Sequence, residues 1–197
     1  MKVSEWSKAA QGWSLAAGRW SAAVGGQGGM RADPLAPHGT FIMDMTWVTG
    51  RIAVGGGIWT PENMAQVARA GVTHILDMQI EFDDTALAAP HGITVLWNPI
   101  DDDFRPKPPE VFERGVEFAL EALDEEGSRL FVHCAAGVHR APMMTLAILC
   151  SLSWNLADAV RLIETRRPVV DFADVYVNSV KEFLLEQVGK REAASSL

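Results

Sequence analysis

Residues 128–152 read SRLFVHCAAGVHRAPMMTLAILCSL: an apolar run, a short loop with one glycine, and a second apolar run of helical length. An element that is apolar on every side must be buried on every side. A short strand of that kind belongs inside a parallel sheet, with apolar helices packed against it. The rest of the chain repeats the alternation. TWVTGRIAVGG (46–56) reads as a strand or a short hairpin ending in glycines, and VTHILDMQ (72–79) and GITVLWNPI (92–100) read as strands bounded by turn residues. Helices are predicted over 61–70, with Thr60 as cap and Pro61 in the first turn, and over 109–126, where Phe112, Val116, Ala119, Leu120 and Leu123 share a face. A helix follows the loop over about 140–152. Another is capped by Asn155 and must end before Pro168, and a last one spans about 174–189. The expected fold is α/β: a central, mainly parallel, twisted sheet of four to five strands flanked by helices.

This globular part occupies 41–190. Before it, residues 1–25 repeat EWSKAAQ, GWSLAAG and RWSAAVG, which places Trp6, Trp13 and Trp20 seven apart with alanine or valine three and four residues behind each. On a helix they form one amphipathic aromatic–alanine seam. Buried tryptophans carry large apolar area, so the seam is expected to dock on its own domain or to form a homodimer with a second copy. A separate partner or a membrane surface is the other reading, and the low positive charge of the stretch argues against strong membrane binding. Residues 26–40 are a Gly/Pro-rich linker, and 191–197 are expected to be a flexible tail.

The net charge of −8 argues against a nucleic-acid partner. Two cysteines, Cys134 and Cys150, are too few for a disulfide scaffold, so a reducing, cytoplasmic compartment is expected. The longest apolar run is too short for an integral membrane segment. The five histidines show no metal spacing.

The loop between strand and helix carries the chemistry. In HCAAGVHR the N–H groups of Ala135, Ala136, Gly137, Val138, His139 and Arg140 can curl into a nest at a helix N-terminus, a ready site for an anion. Gly137 permits the backbone conformation that closes the loop. Arg140 offers a planar fork matched to phosphate oxygens. Cys134, at the positive mouth of the nest, is the nucleophile, and the nest favours its thiolate form. His133 is expected to orient the loop through hydrogen bonds.

HCAAGVHR resembles HCxxGxxR, the signature of the cysteine-dependent protein tyrosine phosphatase superfamily. It looks most like the dual-specificity branch, whose loops often read HCxAGxSR. The likeness extends over about 46–188: GVTHILDMQ resembles that branch's segment before its second core strand, and RRPVV its Arg-Arg-Pro element before the last helix. The resemblance implies hydrolysis of phosphate monoesters through a phosphocysteine, without metal or cofactor, on phosphoprotein (Tyr and/or Ser/Thr) or a small phosphomonoester. It also implies an aspartate general acid upstream of the cysteine. Asp102, two past Ile100 and 32 before Cys134, fits best, with Asp101 the runner-up. Like charges in Asp101-Asp102-Asp103 are expected to raise one member's pKa. Outside that role the triplet reads as a solvated acidic loop.

Two positions depart from the pattern. Ala141 stands where Ser or Thr usually stabilises the departing thiolate. A charge-assisted hydrogen bond is worth roughly 1.5–3 kcal/mol, one to two powers of ten in rate, so a slow enzyme is expected. The alternative is a catalytically weak phosphate-binding pseudophosphatase or interaction module. A rhodanese-type sulfur carrier also uses Cys-x5-Arg, but the acidic loop disfavours it. His139 replaces a small residue and is either a donor at the pocket mouth or a solvent-facing loop histidine. Uncharged Ala135, Ala136 and Val138 disfavour polyphosphorylated inositols and the triphosphate end of RNA. Gly55, Gly56 and Gly57 read as a turn, Cys150 as core rather than a redox partner for Cys134, and Arg166 and Arg167 as solvated charge rather than a pair near the site.

Overall fold

A computed structural model describes residues 42–195. Its five strands are β1 Met45–Trp47, β2 Ile52–Gly55, β3 His74–Asp77, β4 Thr94–Trp97 and β5 Leu130–His133. Six helices flank them: α1 Pro61–Arg69, α2 Thr85–Ala88, α3 Pro109–Asp124, α4 Arg140–Ser151, α5 Leu156–Arg166 and α6 Asp174–Ser195. The sheet order is β1-β2-β5-β3-β4. β1 pairs antiparallel with β2, so the 46–56 segment is a hairpin, and every other pairing is parallel.

The apolar patterns explain the layering. β5 is buried at every position in the middle of the sheet. On one face α4 lies with all its residues from Arg140 to Leu149 buried, packed among α3, α5 and α6 around Phe112, Met144, Leu146, Tyr176 and Phe183. The other face is closed by α1 and α2 over Ile58, Met64, Val67, Ile75 and Phe131. Helix starts follow local chemistry: Thr60 Oγ1 accepts the Asn63 N–H at 3.2 Å, and Asn155 Oδ1 accepts the Ala157 N–H at 2.9 Å.

Two elements differ from the sequence expectation. α2 and a 3₁₀ turn at Ala89–His91 fill the stretch between β3 and β4, where four-residue periodicity is too short to read. α6 runs on to Ser195, so residues 191–195 are helical rather than a tail. Nothing there breaks a helix, and Lys190 pairs with Glu113 on α3. The Trp6–Trp13–Trp20 seam and the 26–40 linker lie outside the described residues. Among the described residues, no helix is long and apolar enough to cross a membrane.

The register places the site. Gly55 pairs with His133, His133 with Asp77, and Asp77 with Trp97. The carboxyl ends of the parallel strands are therefore level. The segments that follow them gather at one end of the sheet, where α/β folds form their clefts.

Candidate active site

β5 ends at His133, and Cys134 begins the loop that α4 closes at Arg140. Cys134 is buried, and its Sγ accepts the Gly137 N–H at 3.3 Å. Among the described residues, the N–H groups of Ala135, Ala136, Val138 and His139 meet no protein acceptor. Gly137 adopts φ +64°, and a Cβ there would collide with the Gly55 carbonyl and with Arg167. The glycines at the end of β2 therefore do not make a turn. They let the Cys134–Arg140 loop and the strand touch backbone to backbone, and the Gly57 N–H donates to the Ala135 carbonyl at 3.1 Å.

Arg140 is 3% exposed. Its Nη1 and Nη2 donate to Glu81 Oε2 and Oε1 at 3.1 and 2.9 Å, and Nη1 also reaches the Ile100 carbonyl at 3.2 Å. That hydrogen bond from Arg140 holds the Glu81 carboxyl below the usual carboxylate range. Among the described residues the buried Arg140 Nε has no hydrogen-bond partner, and its near neighbour is Asp102 Oδ2 at 3.8 Å. A buried donor left free at the mouth of a nest of N–H groups is a place for an anionic oxygen.

Arg167 is also buried, which corrects the expectation of solvated charge. It donates to the Gly137 carbonyl at 2.9 Å, and its Nη1 and Nη2 pair with Asp44 Oδ1 and Oδ2 at 2.7 and 2.6 Å. It thus ties the loop to the edge of the sheet. Arg166 is only partly buried, at the last residue of α5.

His133 is fully buried. Its Nε2 lies 2.8 Å from Asp84 Oδ2 and 3.7 Å from Asp77 Oδ1, although neither contact has hydrogen-bond geometry. Asp77 accepts the Gln79 N–H at 2.9 Å and the Asp84 N–H at 3.3 Å, and burial pushes its pKa up to about 6. Among the described residues the His133 ring therefore makes no hydrogen bond, unlike the expectation that it orients the loop that way, and it lies instead beside two buried carboxylates. These three residues are also the one grouping among the described residues whose atoms lie close enough together, within 4.8 Å, to share a metal ion.

Asp102 and Asp101 separate in the structure. Asp101 Oδ1 accepts the Asp102 N–H at 2.8 Å and its residue is exposed. Asp102 turns toward the loop: its Oδ1 accepts the Tyr176 hydroxyl at 2.8 Å, and its Oδ2 lies 3.1 Å from His139 Nδ1. Asp103 pairs with Lys107, whose hydrogen bond holds its carboxyl below the usual range. Mutual repulsion within the triplet therefore does not raise that member. His139 is half-buried at the mouth rather than solvent-facing, with Nε2 3.5 Å from Asp171 Oδ2. Ala141 is fully buried, and the hydroxyl one turn on, Thr145 Oγ1, is spent on the Ala141 carbonyl at 2.9 Å. The Cys150 thiol is pushed up to about 11 by burial, consistent with a core residue.

Residues 59–184 match the family model described as the dual specificity phosphatase catalytic domain. The chain belongs to the dual specificity phosphatase family. It is 33% identical over 75 residues to dual specificity protein phosphatase 5 of Rattus norvegicus, covering 38% of this chain and 19% of that protein. It is 34% identical over 85 residues to protein tyrosine phosphatase type IVA 3 of Bos taurus, covering 43% of this chain and 49% of that protein. The chain thus spans between 17% and 49% of the length of such curated relatives. Among solved structures, PTPMT1 in complex with PI(5)P shares the fold at a TM-score of 0.66 and 20% identity, covering 74% of this chain and 97% of that one. Human DUSP28 does so at 0.60 and 21%, covering 77% and 96%.

Four residues around the site escape sequence reasoning: Asp44, which precedes the matched residues, and Glu81, Arg167 and Tyr176 within them. Glu81 and Arg167 look like ordinary surface charge in sequence. Two signals were available: Arg167 lies in the RRPVV element, and Tyr176 is the single tyrosine of the chain, set on the apolar face of a helix.

Proposed function

We propose that the chain hydrolyses phosphate monoesters through a phosphocysteine, acting on phosphoprotein at Tyr and/or Ser/Thr or on a small monophosphate. The observation that carries this reading is the buried Cys134–Arg140 loop, with a thiol already accepting a backbone N–H and an arginine held rigid by Glu81 while its Nε–H stays free. In the first step the Cys134 thiolate attacks phosphorus and the ester P–O bond breaks. The leaving oxygen takes its proton from Asp102. In the second, water attacks the phosphocysteine and gives a proton to the Asp102 carboxylate, and the thiolate departs as inorganic phosphate forms. Arg140 and the loop N–H groups hold the equatorial oxygens throughout.

The carboxylates of Glu81, Asp101 and Asp171 around the mouth, and the absence of lysine from the loop, favour singly phosphorylated substrates. Steady-state assays with p-nitrophenyl phosphate test the proposal. Turnover should vanish in Cys134→Ser, be blocked by orthovanadate and ignore chelators. Wild-type turnover no higher than that of Cys134→Ser would leave a phosphate-binding module in its place. Because Ala141 offers no hydroxyl to Sγ, Ala141→Ser should speed breakdown of the phosphocysteine up to roughly tenfold, read as the slow phase after a burst. An unchanged slow phase would mean that another group already serves the departing thiolate.

A further inference from the structure

We infer that His139 and Tyr176 are positioning residues that latch the Asp102 carboxyl over the phosphate loop, and that His139 keeps this hold in both protonation states of Asp102. The inference rests on the phosphatase reading above and extends it to residues that the loop signature leaves open.

Both oxygens of Asp102 are engaged by side chains fixed from other elements. On one side the Tyr176 hydroxyl donates to Oδ1 at 2.8 Å. Tyr176 is 1% exposed, and burial, with Asp102 adding to it, pushes its pKa up to about 12. It therefore remains a donor at any working pH. The same hydroxyl oxygen accepts the Phe104 N–H at 3.0 Å. Phe104 holds φ +55°, a conformation that costs a non-glycine residue energy and persists only where the surroundings impose it. Its ring stacks on Tyr176 at 5.7 Å and meets His139 edge-on at 5.0 Å. One buried hydroxyl thus secures the acidic loop at two points.

On the other side, His139 Nδ1 lies 3.1 Å from Asp102 Oδ2. The far nitrogen, Nε2, faces Asp171 Oδ2 at 3.5 Å, and the Asp171 N–H donates to the Val138 carbonyl at 3.1 Å. The imidazole is held between the segment before α6 and the acidic loop. The charged groups that meet this cluster are Asp102, Asp171, the Arg140 Nε, 3.8 Å from Asp102, and Lys107, whose Nζ lies 5.3 Å from the centre of the Tyr176 ring. A general acid must be a carboxylic acid in one step and a carboxylate in the next. A serine in that place could reach less far. An imidazole Nδ1–H donates to Oδ2 in both states, to a carbonyl oxygen while Oδ1 carries the proton and to a carboxylate oxygen once it has left, so the proton stays free to reach the leaving group. Asp102 therefore need not swing away when its proton leaves.

A leaving-group series tests this with a readout that loss of folding does not mimic. The quantity is the ratio of kcat/KM for 2,4-dinitrophenyl phosphate, whose leaving group needs no proton, to that for phenyl phosphate, which does. Asp102→Asn should raise the ratio by roughly 10²-fold or more. His139→Ala should raise it roughly tenfold, the worth of one positioning hydrogen bond. His139→Asn, whose amide can stand near Nδ1, should recover part of that, and Tyr176→Phe should raise the ratio independently. A ratio unchanged in both His139→Ala and Tyr176→Phe, with Asp102→Asn raising it, overturns the latch. A ratio raised equally by His139→Ala and His139→Asn also overturns it, since the loss would then come from a disturbed loop. An unchanged ratio in Asp102→Asn overturns the acid assignment and the latch together, while the Cys134→Ser result still judges the phosphatase reading by itself.

Discussion

The Cys134–Arg140 loop begins and ends beside a histidine flanked by two aspartates, and the two arrangements are opposites. His133 lies between Asp84 and Asp77 with all three side chains sealed from solvent. His139 lies between Asp102 and Asp171 at the mouth, where the Asp171 side chain is 70% exposed. The inner cluster has no water to spread its charge, so its protonation is tied to folding. The outer cluster is partly open to solvent, at the place where the proposed reaction needs its acid. On the proposed reading the same residue types serve support in one place and chemistry in the other, and burial is what separates them.

The inner cluster should break hardest. His133→Ala removes the one cationic candidate beside Asp77 and Asp84, and a buried pair that loses a partner costs about 3–5 kcal/mol. Urea unfolding should show that loss. A change under about 1 kcal/mol would mean that the carboxylates carry their own protons and do not need the ring.

Next comes the pH dependence of Asp77. Its pKa rises from 3.8 to about 6 on folding, so the folded chain binds that proton more tightly than the unfolded chain does. The associated stability is fully present below about pH 4, falls as pH rises toward 6 and is level above. The swing is about 3 kcal/mol. Asp77→Asn should lack this swing, so the wild-type stability minus the variant's should drop by about 2 kcal/mol between pH 4 and 6.5. A flat difference would place the titration elsewhere.

Effects at the mouth should be smaller on stability and larger on rate. Tyr176→Phe leaves the Phe104 N–H without its partner and should cost about 1–2 kcal/mol in thermal melts. A melt matching wild type would mean that solvent or a shifted loop serves Phe104 instead. Asp171→Asn should be the mildest. Exposed pairs are worth about 0–1 kcal/mol, so both stability and kcat/KM should stay within roughly threefold of wild type. A larger kinetic loss would promote Asp171 from the rim to the latch.

Much of this was legible in sequence. Short apolar runs bounded by turn residues gave the strands their places, and the six-residue spacing of Cys134 and Arg140 announced the loop. What stayed hidden was the set of partners that the fold brings from afar. Glu81 lies 59 residues before Arg140, and Asp44 lies 123 before Arg167. A lone carboxylate carries no local mark of the arginine it will meet, because pairing across elements is decided by strand order and not by spacing. His139 was visible as an oddity, but its role needed the chain fold that brings Asp102 and Asp171 to either side of one ring. Within the acidic triplet, Lys107 claims Asp103, which no pattern of like charges could indicate.

The contact between Gly55 and Gly137 has a further consequence. With the strand's backbone against the loop and Arg167 gripping the Gly137 carbonyl, the loop takes its shape from the sheet and not from its ligand. The entropy of ordering six residues is then settled when the chain folds. A phosphate or vanadate ion arriving at the site surrenders only its own freedom of motion, so its capture should be limited by encounter and desolvation, with no slow closing phase to observe.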